Sequence, residues 1–71
     1  MKLKNLLKVI PKEQPITVFA IGLVPTQPAT LIHDNEPAGF LTKGIRFSKL
    51  GSMEVIELSK DENNEIIIVV K

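Results

Sequence analysis

The chain holds 71 residues, nine Lys and Arg against eight Asp and Glu for a formal net charge of +1, and no cysteine. That length allows one domain with a modest core, and without cysteine neither disulfide staples nor thiolate zinc sites nor cysteine nucleophiles can form. A hydrophobic share of 44% against 24% charged is that of a folding chain and excludes wholesale disorder.

Residues 2–10 place Leu3, Leu6, Leu7 and Ile10 three and four apart with lysines between them, the pattern of a short amphipathic helix that Pro11 stops. Lys8 interrupts the apolar run and no small-residue cleavage site follows, so the stretch does not read as a signal peptide. A helix this short melts alone in water and has to dock on a sheet. Residues 16–21, Ile-Thr-Val-Phe-Ala-Ile, read as a strand bounded by Pro15 and Gly22, which Leu23 and Val24 prolong across the glycine. Even residues 18–24 fall far short of the roughly 20 apolar residues of a membrane-spanning helix. Two prolines make 25–28 a loop, residues 30–33 a short strand, and Asp34-Asn-Glu-Pro37 a turn. Phe40 and Leu41 after Gly39, then Ile45 and Phe47 after Gly44, read as one bulged strand or two very short ones.

The last third organises the rest. Met53 to Ser59 and Glu65 to Val70 are β-branched, apolar-rich runs flanking the polar loop Lys60-Asp-Glu-Asn-Asn64, a hairpin signal with Asn63 or Asn64 suited to positive φ. In the first arm, alternation puts Glu54, Ile56 and Leu58 on one face and Met53, Val55 and Glu57 on the other. The second arm, Ile66 to Val70, is apolar on both faces and belongs at the centre of the core. Ile66, Ile68 and Val70 are expected to point inward. Ile67 and Val69 are expected under the N-terminal helix or across an interface between copies of the chain. The expected fold is α+β, one domain over residues 1–71. A short N-terminal helix packs on a small, mostly antiparallel curled sheet or open barrel of about five strands. The lack of cysteine fits a reducing compartment, so a cytoplasmic location is expected.

Candidate chemistry is sparse. Gly39 and Gly44 have phosphate-loop spacing, but Ile45 and Arg46 stand where Lys and Ser or Thr are required. Asp61, Asn63 and Glu65 alternate like calcium ligands, yet Ile66 replaces the required glycine. His33 beside Asp34 has no positioned nucleophile and reads as a solvent-facing strand-end residue. Pro25 and Pro28 lack the flanking basic residue of a polyproline ligand. No catalytic residue, metal or cofactor is therefore assigned.

Charge is uneven, with Lys2, Lys4, Lys8 and Lys12 at the start and Glu54, Glu57, Asp61, Glu62 and Glu65 in the closing hairpin, the pattern of a two-ended molecule. Lys43, Arg46 and Lys49 form a candidate binding patch. A small-barrel nucleic-acid module would use these basic residues, but Phe19, Phe40 and Phe47 all read as core residues and the acidic hairpin opposes a polyanion. An oligomer that holds a nucleotide-like ligand near Lys43, Arg46 and Lys49 is a further alternative.

The Leu-rich opening helix, the strand after a Pro-containing loop and the closing Ile66-x-Ile68-x-Val70 arm together resemble small proteins of Gram-positive phages and prophages. The resemblance covers most of the chain and rests on apolar patterning. It implies a non-enzymatic accessory protein that binds a protein partner, such as a host factor or defence system, and it carries no functional residue. Combined with the two-faced strand, it makes a self-associating interaction protein the leading expectation, with a dimer favoured and Ile67 and Val69 as the self-association residues.

Overall fold

The computed structural model of the chain describes residues 1–43 and 47–71. In order they form α1 (Leu3–Leu7), β1 (Pro15–Ile21), β2 (Ala29–Pro37), a 3-10 helix (Ala38–Lys43), α2 (Phe47–Leu50), β3 (Val55–Lys60) and β4 (Ile66–Val70). Among these residues the strands make one open four-stranded sheet in the order β2-β1-β4-β3. The fold is α+β, but with four strands where five are expected and with a mixed sheet.

Consecutive strands do pair antiparallel, β1 with β2 and β3 with β4, as their short loops require. The seam between the two hairpins is parallel, with Ile16 beside Ile66, Val18 beside Ile68 and Ala20 beside Val70. Loop length says nothing about strands that are not neighbours in sequence, which is why the pattern alone does not reveal this seam. β4 is an interior strand, in keeping with its two apolar faces.

The core lies on one side of the sheet. Ile16, Val18 and Ala20 of β1 and Ile68 and Val70 of β4 are fully buried beneath Leu3, Leu6, Ile10, Ala38 and Leu50. The opening helix is confined to Leu3–Leu7, shorter than the expected 2–10, and Lys2 supplies no side-chain cap. Its first free N–H groups are satisfied across the chain instead. Leu3 donates to the Met53 carbonyl at 3.0 Å and Lys4 to that of Gly51 at 2.9 Å. α1 is therefore held by tertiary contacts rather than by its own propensity.

Of the strand residues expected after the two glycines, Phe40 and Leu41 stand in the 3-10 helix and Phe47 opens α2, while Ile45 lies outside the described residues. Two backbone bonds to the loop before β1 fix the start of the 3-10 helix, Ala38 N–H to Gln14 at 2.9 Å and Gly39 N–H to Lys12 at 2.8 Å. Gly39 suits that approach, because an added Cβ would come within 3.1 Å of the Lys12 side chain and 3.3 Å of its carbonyl. The turn expected at residues 34–37 is absorbed into β2 as an irregularity, with Asn35 at φ 49° and the register to β1 shifting on either side of Val18. β1 ends at Ile21, and Gly22 at φ 76° turns the chain away, so Leu23 and Val24 do not prolong the strand.

The closing hairpin forms as expected, with Asn64 at φ 65°. Its loop is held by Asp61, whose Oδ1 accepts from the Asn63 and Glu65 amides, both at 2.9 Å. The face assignment of its first arm needs correction. A bulge between Val55 and Glu57 sets Val55 opposite Val70 but Glu57 opposite Val69, so these two no longer share a face.

Candidate interaction surfaces

β4 supplies two surfaces from five residues. Ile68 and Val70 belong to the core, whereas Ile67 and Val69 lie on the opposite face, half-buried and outside the core cluster. The leucines of α1 pack on the core face, so the helix does not cover Ile67 and Val69, and that half of their expected placement is corrected. Phe19, Leu31, Val69 and Glu57 stand in one row across the sheet, and Thr17, Ile67 and Ser59 in a neighbouring row. Phe19, Ile67 and Val69 are half-buried and Leu31 is 49% exposed. The result is an apolar sheet face with Glu57 and Ser59 at its β3 margin.

One point on this face is closed. Thr17 is buried, and its hydroxyl donates to the Glu65 carboxylate while accepting from the Asn35 N–H at 3.1 Å. It ties the start of β4 to the irregular stretch of β2. His33 is also buried, contrary to the solvent-facing expectation, with Nε2 at 3.1 Å from the Glu36 carbonyl and 3.2 Å from that of Pro37. Two carbonyl acceptors require the proton on Nε2. Its partners are backbone groups, so His33 makes no dyad with Asp34.

The expected basic patch is only partly described. Lys49 is exposed and lines a cleft of about 370 Å³ with Leu23, Val24, Ile32 and Leu50. Lys43 ends the 3-10 helix in its backbone, while its side chain and all of Arg46 lie outside the described residues. The basic and acidic pools meet at one point, Glu54. Glu54 accepts from the Met1 ammonium at 3.0 Å and pairs with Lys2 at 3.3 Å. The ammonium bond, and then Lys2, hold the Glu54 carboxyl below its ordinary value of 4.5.

Among the described residues no group of three His, Cys, Asp or Glu could hold a metal, and no helix is long and apolar enough to cross a membrane. No family model matches the chain, and neither a curated protein nor a solved structure matches it.

Proposed function

We propose that this chain is a non-catalytic interaction module of the small accessory kind, phage-type in its resemblance, which docks the uncovered sheet face on protein, with a second copy of itself as the first partner. The observation that supports this reading is the unequal cover of β4: Ile68 and Val70 are buried, while among the described residues no helix packs over Ile67 and Val69 beside them. The face has the composition of an interface, with Phe19, Ile67 and Val69 at its middle and Glu57 and Ser59 toward a rim. Two such faces related by a two-fold axis would pack as a sheet sandwich at a spacing of about 10 Å, each copy presenting the same patch to the other.

Sedimentation or light scattering over a concentration series tests the proposal. The wild-type chain should show a dimer mass that falls on dilution. Ile67→Lys should sediment as a monomer with an unchanged far-ultraviolet spectrum, because burying an unpaired ammonium in the interface is costly. A wild-type monomer at several hundred micromolar, or a variant with the wild-type mass, would overturn it.

A further inference from the structure

A second surface lies on the helical side, away from the open sheet face. Lys4, Lys8 and Lys12 line a cleft of about 470 Å³ with Leu7, Ile10 and Thr42. Lys12 and Thr42 also line a neighbouring cleft of about 430 Å³, shared with Phe40 and Glu13, so the groove of the three lysines and the Phe40 cleft have a wall in common. Among the described residues none of these three lysines lies within 4.0 Å of a carboxylate. Phe40, expected in the core, is 58% exposed.

We propose that this groove binds single-stranded nucleic acid, with Lys4, Lys8 and Lys12 on successive phosphates and Phe40 as the platform for an unpaired base. The proposal does not depend on the sheet-face reading. Three cations with no carboxylate within 4.0 Å among the described residues favour a polyanion, and a concave track with an aromatic beside it is how sequence-tolerant single-strand binders are built. A lipid surface is flat and would not follow a cleft. Duplex DNA would need an element long enough for its major groove, and α1 has only five residues.

Of the carboxylates in the closing hairpin, Glu54 is offset by the Met1 ammonium and Lys2, and the others keep their charge at the far edge of the sheet, on β3 and its loop to β4. Glu13, at the Phe40 end, is the carboxylate that a bound phosphate has to pass. With about three phosphates neutralised, the logarithm of affinity should fall against the logarithm of salt with a slope of about −2 for a single strand.

Fluorescence anisotropy with a labelled oligothymidylate of about 20 nucleotides, titrated with the 71-residue chain from low to moderate salt, is the test. Binding with a slope of about −2 is expected. Lys8→Gln with Lys12→Gln should cost tenfold or more and flatten the slope to about −0.7. Phe40→Ala should weaken binding several-fold and leave the slope unchanged, and a duplex of the same length should bind less well than the single strand. All substituted side chains are exposed, and circular dichroism checks the fold. No binding at low salt, wild-type affinity in the double lysine variant, or capture by anionic phospholipid vesicles without any oligonucleotide binding would overturn the proposal.

Discussion

Ile67 and Ile68 are chemically identical neighbours with opposite surroundings. Ile68 lies beside Val18 across the parallel seam and is fully buried under the helical layer, while Ile67 lies beside Thr17 on the side that, among the described residues, no helix covers. The described short helices gather on one face because the connection from β2 to β3 carries the 3-10 helix and α2 across the side on which α1 also docks. A strand's residues determine that it needs two covers. Where the connections run determines which face receives one.

The largest test of this contrast is truncation on each side. Ile68→Ala should cost about 2–5 kcal/mol, the usual range for a large-to-small change in a filled core. In a domain this small each kcal/mol moves the melting temperature by about 4–8 °C, so a fall of about 10 °C or more is expected in calorimetry. Thr17→Val comes next, at about 1–3 kcal/mol. It removes a charge-assisted bond to Glu65 and leaves the Asn35 N–H without its acceptor, which a denaturant midpoint would register. Ile67→Ala should cost clearly less than Ile68→Ala at concentrations too low for association, because the side chain is only partly buried and lies outside the core cluster. Equal losses for Ile67→Ala and Ile68→Ala would abolish the distinction between the faces.

The smallest effect concerns the tie at the sheet margin. Glu54 titrates below 4.5 in the folded chain, so its contribution is complete above that pH and disappears as pH falls through the lowered value. Glu54→Gln should therefore melt slightly below wild type at neutral pH, with the gap closing in acid. A gap that widens on acidification would contradict the pairing with Met1 and Lys2.

The closing hairpin was legible because β-branched runs and an Asn-containing loop are local signals, and Asn64 takes the positive φ that such a loop needs. β1 was legible for the same reason. Residues 38–43 were misread because apolar residues punctuated by glycine fit a bulged strand as well as a 3-10 helix. The deciding bonds, to Gln14 and Lys12, come from more than twenty residues away. The bulge in β3 likewise moved Glu57 to the face of Val69, which alternation cannot show. At the candidate surfaces, Ile67 and Val69 could be read as the residues facing away from Ile68, but not that α1 packs elsewhere. The exposure of Phe40 left no local signal, since a single aromatic is buried or not according to what the fold brings over it.

The parallel seam also bears on how fast the molecule can assemble. Fifty residues separate Ile16 from Ile66, and each hairpin obtains its inner neighbour only from the other. The entropy of closing that long loop is lost before the central contacts form, so the rate-limiting ensemble has to bring both ends of the polypeptide together. A single refolding phase in milliseconds to seconds, slower than helical bundles of comparable size, is what stopped-flow mixing should record.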